Sequence, residues 1–140
     1  MSLAWMEQWS VGNSMIDSDH RNLVDLVNNV EQALRGGDRL VLSQAFKQLW
    51  NSVALHCANE ERIAQAINFQ VDKHRLAHQY LQDELQYIRE ELEDKCGVWS
   101  EGAIEHFTRF LGDWLIEHVT REDVQMKPAL QTLPYDFVPA

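Results

Sequence analysis

The sequence predicts an all-α protein, an antiparallel up-down-up-down four-helix bundle with an N-terminal arm. Two observations carry this prediction. The 140 residues include only three prolines, one at position 128 and two in the last seven residues, so nothing interrupts long helices over most of the chain. Apolar residues also recur at the three- and four-residue spacing of a helix face in four segments. Short links between such helices favour an antiparallel bundle.

Four helical segments can be placed in order along the chain. The first opens at the polar cluster of residues 17–19, which suits a helix N-cap, and it ends at the glycine pair 36–37. In each segment aliphatic residues recur on one face, which the helix would bury against its neighbours. The other three segments cover residues 38–68, residues 71–95 with Gly97 as the stop, and residues from Ser100 to beyond Asp123.

A single domain, residues 1–140, is expected because this length suits one ordinary hydrophobic core. Residues 1–16, which include Trp5 and Trp9, are interpreted as an arm packed along the bundle. Residues 17–126 are expected to form the bundle itself. Residues 127–140 have no helical pattern and are interpreted as a tail or as a linker.

The composition argues against several classes of function. The formal net charge is −10, and an acidic surface repels both the phosphate backbone of nucleic acid and anionic membranes. No apolar run approaches the roughly 18 residues of a spanning helix, and the first residues lack the pattern of a secretory signal. We therefore expect a cytoplasmic protein with no nucleic-acid or membrane partner. Its two cysteines, Cys57 and Cys96, are expected to be reduced.

Five of the six histidines fall at one end of the predicted bundle, on the same helix faces as the leucines and valines. Imidazoles that converge in an apolar interior lack partners for one another, and burying unpaired polar groups costs roughly 1–3 kcal/mol each. A metal ion removes this difficulty, because it uses the lone pairs of imidazole and carboxylate. The sequence therefore predicts a metal site. The converging residues are His20, His56, Glu60, His74, His78 and His118.

The spacing within the helices supports this prediction, with one exception. The pairs His56–Glu60 and His74–His78 are four residues apart, so both members of each pair lie on one helix face. His118 and Asp123 are five residues apart, which is about 140° on a regular helix. Either the helix widens locally into a π-turn, which is common at functional sites, or Asp123 is not a ligand.

These residues resemble the motif set of the hemerythrin family, in particular the bacterial hemerythrins. The similarity covers about residues 9–126, and all seven ligand positions match in type and spacing. The matching motifs are His20, His56-x-x-x-Glu60, His74-x-x-x-His78 and His118-x-x-x-x-Asp123, with the flanking Ile16-Asp17-x-x-His20, Glu60-Glu61 and Trp114-Leu115-x-x-His118.

The resemblance implies a cofactor of two non-haem iron ions bridged by an oxo or hydroxo group. It implies one iron held by His74, His78 and His118, another held by His20 and His56, and bridges from Glu60 and Asp123. One coordination position, on the two-histidine iron, then stays open, and there the family binds dioxygen. By helical phase and by resemblance, four residues would surround that position, although each also suits an ordinary core: Leu23, Trp114, Leu115 and Val119.

Three positions depart from the pattern of the bacterial relatives. Cys57 stands where phenylalanine is usual and suits a helix interface better than a metal ligand, while Gln70 stands where proline is usual. Ala64 stands where a larger residue is usual, so we expect a cavity near the site and faster oxidation of the iron, as suits a sensor. His106 lies outside the motif set and is interpreted as a surface residue.

The expected function is reversible binding of dioxygen by a protein that is not itself an enzyme. Such a domain would act as an oxygen carrier, or as the oxygen or redox sensor of a larger protein with a covalently attached signalling domain. The alternative is a di-iron oxidase or peroxidase, or an iron-handling protein. Di-iron oxidases of the bundle type use two Glu-x-x-His pairs, and none of the six histidines here has a glutamate three positions earlier.

Overall fold

The computed structural model describes residues 3–94 and 99–139. In these residues four long helices pack in sequence order, and the fourth closes against the first, which confirms the predicted all-α antiparallel four-helix bundle. Among the described helices, none combines the length and the apolar character that crossing a bilayer requires. The long helices are α1 (Ser14–Gly36), α2 (Arg39–Ala66), α3 (Val71–Asp94) and α4 (Glu101–Glu117), and α5 (Lys127–Leu130) is a single turn.

Helix α1 begins three residues earlier than the sequence indicated. The side chain of Asn13 accepts a hydrogen bond from the backbone N–H of Ile16 at 3.1 Å and so caps the helix. Asp17 lies inside the helix and is completely buried. Its carboxylate accepts the N–H of Val11 at 2.9 Å, so it fastens the arm instead of capping the helix. Gly37, with φ at 72°, ends α1 as predicted.

The other helix boundaries follow the expected signals. The side chain of Asp38 caps α2 by accepting hydrogen bonds from the backbone N–H groups of Leu40 and Val41, at 2.9 and 3.2 Å. Ser100 caps α4 through the N–H of Ala103 at 3.1 Å. Helix α2 ends two residues before the predicted position, because Asn68 adopts the left-handed backbone conformation with φ at 57°. Gly97, the predicted stop of α3, and Cys96 lie outside the described residues.

Two apolar clusters form the core. The larger one fills the bundle and includes Cys57, which is 3% exposed, and burial raises the pKa of this thiol to about 12. The smaller cluster includes Ala64, which is 0% exposed, so no water-sized space borders its methyl group. The expectation of a cavity beside Ala64 is therefore wrong, because residues from other segments pack there: Val11, Ile16, Met126 and Leu130.

The arm and the tail both pack on α1. Backbone Leu3 N–H donates to Asn28 Oδ1 at 2.8 Å, and Asn28 Nδ2 donates to the Leu3 carbonyl at 2.9 Å. The N–H of Ser14 donates to the carbonyl of Tyr135 at 2.8 Å, and the Tyr135 hydroxyl donates to Asp17 at 2.9 Å. Residues 135–137 are therefore docked against the start of α1.

Candidate metal centre

All seven side chains predicted as ligands converge at one end of the bundle. Helix α1 contributes one of them, α2 and α3 contribute two each, and the segment after α4 contributes the last two. The seven are at most 4% exposed: His20, His56, Glu60, His74, His78, His118 and Asp123.

The segment that follows α4 explains how Asp123 reaches the cluster. Residues His118–Glu122 form a π-helix, and the N–H of Asp123 bonds to the carbonyl of His118. The wider π-turn brings a residue five positions further along onto the face of His118. Asp123 Oδ2 accordingly lies 2.7 Å from His118 Nε2. Of the two alternatives that the spacing left open, the structure shows the π-turn.

The seven side chains form two overlapping sets of donor atoms, within each of which the atoms lie within 4.8 Å of one another. Glu60 and Asp123 belong to both sets, and they are the only shared members. The first set is His20, His56, Glu60, His118 and Asp123, and the second set is Glu60, His74, His78 and Asp123.

Each shared carboxylate presents one oxygen to each set. Glu60 Oε1 lies 3.1 Å from His20 Nε2, while Glu60 Oε2 lies 2.6 Å from His74 Nε2. Asp123 Oδ2 lies 2.7 Å from His20 Nε2, and Asp123 Oδ1 faces His74 Nε2 at 3.3 Å. This is the arrangement that two carboxylates need if they are to bridge two neighbouring cations.

His118 occupies an intermediate position between the two sets. Its Nε2 lies 3.4 Å from His56 Nε2, which places it in the set of His20 rather than with His74 and His78, where the resemblance puts it. Its ring centroid, however, is 5.6 Å from that of His56 and 5.5 Å from that of His78. The ring of His118 therefore lies about equally far from those of His56 and His78, although its donor atom belongs to the first set.

Without a cation, the imidazole and carboxylate groups of the cluster do not fully satisfy one another's hydrogen-bonding capacity. Nε2 of His20 lies 3.1 Å from Nε2 of His56, although both nitrogens face the same carboxylates. Asp123 Oδ1 is buried and accepts no hydrogen bond from the described residues, despite its 3.3 Å approach to His74. An orphaned carboxylate oxygen among converging imidazoles fits a pair of metal ions with nitrogen and oxygen ligands, a preference that iron shares.

In the metal-free protein, His56, His74 and His118 hold protons, because their pKa values are raised. Burial opposes the charged form of His74, but the carboxylates of Asp123 and Glu60 outweigh it and raise the pKa of His74 to about 10. Against the same effect of burial, these carboxylates raise the pKa of His118 to about 9. Burial also opposes charge on Glu60, yet the neighbouring His56 holds the pKa of Glu60 well below its usual range. Metal ions must therefore displace protons when they bind.

A second layer of polar side chains orients two of the imidazoles. Nδ1 of His56 contacts Asp19 Oδ2 at 3.2 Å, and Asn59 Nδ2 donates to the same oxygen at 3.1 Å. Nδ1 of His78 contacts Glu61 Oε2 at 2.9 Å. A carboxylate that accepts from Nδ1–H leaves Nε2 free as the metal ligand and makes it more basic.

Most of this second layer is not predicted from the sequence. Asp19 falls in the expected helix cap, and Glu61 is indicated only by the resemblance. Asn59 and Arg75, whose Nε donates to Glu61 Oε1 at 3.2 Å, were not identified. These contacts join residues on different helices or across a helix face, and no spacing within one segment reports them.

His20 is held differently from His56 and His78. Its Nδ1 is buried and has no hydrogen-bond partner among the described residues. The ring of Trp5 lies 6.5 Å from that of His20, and the guanidinium of Arg21 lies 5.0 Å from the centre of the Trp5 ring. The arm therefore holds this imidazole by packing and not by a hydrogen bond.

The four residues predicted around the open position are all buried. They are at most 4% exposed and belong to the larger apolar cluster: Leu23, Trp114, Leu115 and Val119. Trp114 Nε1 donates to the carbonyl of Leu81 at 2.9 Å, so its polar atom is satisfied. A cleft of about 200 Å³ between α3 and α4 reaches Trp114 and His118 from the surface. His106 is exposed on α4, as predicted.

Comparisons with known proteins point to one family. Residues 11–130 match the family model described as hemerythrin HHE cation binding domain. The chain is 22% identical over 123 residues to the bacteriohemerythrin of Pseudomonas aeruginosa, covering 86% of this chain and 76% of that protein. It is 25% identical over 114 residues to the bacteriohemerythrin of Methylococcus capsulatus, covering 81% of this chain and 85% of that protein.

Two further proteins are similar over nearly the whole chain. A hemerythrin-like protein of Naegleria fowleri is 25% identical over 126 residues, which cover 90% of this chain and 92% of that protein. A crystal structure of a leucine-to-phenylalanine mutant superposes with a TM-score of 0.77 at 20% identity, covering 91% of this chain and 96% of that one. This structural likeness bears on the fold alone.

Proposed function

This chain belongs to the hemerythrin HHE cation-binding family, and on that premise we propose that it binds dioxygen reversibly at a non-haem di-iron centre. The proposed ligands are the seven buried side chains described above. Both expected uses, oxygen carriage and oxygen or redox sensing by an attached signalling domain, rely on this one centre. They differ in whether another module responds to its state.

One observation carries the proposal most directly. Glu60 and Asp123 are shared by two sets of histidines, and each carboxylate turns one oxygen to each set. A site for a single metal ion would not need carboxylates that turn one oxygen to each of two sets of histidines. Imidazole and carboxylate donors together suit iron, and the family membership names a cation-binding domain.

Two iron ions in this site would supply the electrons that dioxygen takes up on binding and returns on release. The task of the chain is to keep this exchange reversible. The buried side chains of Leu23, Leu115 and Val119 exclude water and other competing ligands from the neighbourhood of the cluster. Asp19 and Glu61 fix the orientation of two imidazoles, so the ligand atoms need not rearrange.

The ligand chemistry supports binding over oxidation catalysis. Di-iron oxidases of the bundle type bring four glutamates to the metals, two of them in Glu-x-x-His pairs. Within the described part of the chain, the two donor sets contain only two carboxylates, Glu60 and Asp123. Five neutral imidazoles provide less negative charge with which to stabilise highly oxidised iron.

The experiment is anaerobic loading with Fe(II), metal analysis, and then exposure to air under an absorption spectrometer. We expect two irons per chain and an absorption band that appears with oxygen and disappears when oxygen is removed. His78→Ala should bind markedly less iron, whereas His106→Ala removes an exposed histidine outside the cluster and should bind as much as wild type. Full iron occupancy in His78→Ala, or iron that oxidises in air without a reversible band, would overturn the proposal.

A further inference from the structure

A pocket lies at the opposite end of the bundle from the histidine cluster, between the start of α2 and the end of α3. Its volume is about 170 Å³. Three of its lining side chains, Leu42, Phe46 and Leu92, are apolar and at most 6% exposed. The indole of Trp99 adds an aromatic surface. One wall of the pocket is therefore apolar, while the rest is lined by Ser43 and by charged side chains, and its size suits a small organic molecule.

Two of the charged groups around this pocket form an ion pair with each other, and a third does not. Arg89 Nε donates to Glu93 Oε1 at 3.1 Å, so these two charges neutralise each other. Arg39 also lines the pocket, and within the described residues it makes no ion pair. The carboxylate beside it, Asp38, is already engaged by two backbone N–H groups at the start of α2. One positive charge is left over at the pocket.

Trp99 supplies a second donor without a partner. Its Nε1 is buried, and no atom in the described part of the chain accepts its proton. Leaving a buried N–H unpaired is unfavourable, and native structures rarely do so. Trp99 lines the pocket, so a bound ligand whose acceptor atom reaches this N–H would remove the penalty.

We propose that this pocket binds a small organic carboxylate. The apolar body of the ligand packs against Leu42, Phe46 and Leu92, and its carboxylate accepts hydrogen bonds from the Arg39 guanidinium and the Trp99 indole N–H. Hydrogen bonds between a guanidinium and a carboxylate are among the strongest in proteins. This inference does not depend on the metal centre at the other end of the bundle.

Other classes of ligand fit the pocket less well. A cation would meet Glu93, whose charge is already neutralised by Arg89, and would also meet the unpaired Arg39. A neutral apolar molecule leaves both donors unsatisfied. An inorganic anion satisfies the donors but leaves the apolar surface in contact with water, which forfeits the hydrophobic contribution to binding.

The probe for this pocket is benzoate, titrated into the purified protein by calorimetry and by ¹⁵N–¹H correlation spectroscopy. The chain has five tryptophans, and the indole signal missing from Trp99→Phe identifies that of Trp99. We expect benzoate to shift this signal, while benzamide, which has the same ring without the charge, binds at least about tenfold more weakly. Acetate, which has the charge without the ring, should also bind more weakly.

Matched variants separate a specific site from general attraction. Arg39→Gln should weaken benzoate binding about tenfold or more, and Trp99→Phe, which keeps an aromatic ring, should weaken it by a smaller factor. Arg62→Gln removes the same charge from an exposed position further along α2 and should leave the affinity unchanged. The proposal is overturned if benzoate does not shift the Trp99 signal, if benzamide binds equally well, or if Arg39→Gln behaves like Arg62→Gln.

Discussion

Two parts of the bundle, called halves here, are held together by different forces: the histidine end and the apolar middle. At the histidine end, seven polar side chains are buried together, and they are tolerated only if protons or metal ions neutralise the carboxylates. In the middle of the bundle, residues such as Leu49, Leu85 and Leu111 are at most 2% exposed, and burial of their apolar surface stabilises the fold directly. The proposed metal site therefore occupies the half that contributes to stability only conditionally.

The two halves should therefore respond to different perturbations. A change of charge or of metal content should act on the histidine end, while a change of side-chain volume should act on the apolar middle. Residues more than about 7–10 Å apart, with no shared partners, usually contribute additively to stability. Measurements that separate metal content from unfolding can test whether the division holds.

The largest effect is expected from Glu60→Gln. This change removes a charge that both sets of histidines share, so we expect less than one metal ion per chain after loading with Fe(II). Removing one partner of a buried ion pair also typically costs about 3–5 kcal/mol, so thermal unfolding by circular dichroism should be recorded in parallel. Glu90→Gln, at an exposed position on α3, is the control and should retain full metal content. Two tightly bound metal ions in Glu60→Gln would show that the carboxylate is not a bridge.

The next largest effect should come from Leu85→Ala in the apolar middle. Leu85 is 0% exposed, and leucine-to-alanine changes at such positions typically lower the free energy of unfolding by about 2–5 kcal/mol. Metal content per folded chain should stay unchanged, in contrast to Glu60→Gln. Leu76→Ala, at a leucine that is 72% exposed, should cost less than about 0.5 kcal/mol. A loss of metal in Leu85→Ala at a temperature where it is folded would contradict the division between the halves.

Much of the division between the histidine end and the apolar middle could be predicted from the sequence, because the spacing of residues within one helix is local information. The faces of the histidines indicated the cluster, and the five-residue interval from His118 to Asp123 left a π-turn as one of two alternatives. The helix start at Ser14 and the packing around Ala64 were missed. The helix start has a local signal, the cap at Asn13, which periodicity does not detect. The packing around Ala64 depends on segments far apart in the sequence, such as the arm at Val11 and the chain near Met126, so periodicity within one helix carries no signal for it.

A third prediction concerns the second layer, most of which residue spacing does not predict. Asp19→Asn and Glu61→Gln keep the size of each side chain but remove the charge that faces Nδ1 of His56 and of His78. Changes to such outer partners typically weaken metal binding about 10–100-fold. Competition with a chelator should show this loss in both variants, while the stability of the metal-free protein changes little. Asp25→Asn, at an exposed position on α1, is the control, and equal affinities in all three variants would exclude an orienting role.

The stability of the metal-free protein should fall as the pH rises from 6 to 8. Carboxylates raise the pKa of His74 to about 10 and of His118 to about 9 against the effect of burial, whereas the pKa of histidine in the unfolded chain is about 6.5. The folded state therefore holds more protons than the unfolded state above pH 6.5. The stabilisation from these histidines is complete below about pH 6.5, declines as the pH rises, and is lost near pH 10.

The melting temperature of the metal-free protein, measured in steps between pH 6 and 8, checks this sign. This window lies well above the titration of Glu60 and Asp123, whose pKa values are lowered, so the histidines dominate the change. Each kcal/mol lost corresponds to roughly 2–4 °C in a protein of this size. His118→Gln should flatten the dependence because it removes one of the titrating groups. His106→Gln, which changes an exposed histidine on the neighbouring helix, should leave the slope as it is. A melting temperature that rises with pH would mean that the cluster folds without its protons and that the histidine end does not need neutralisation.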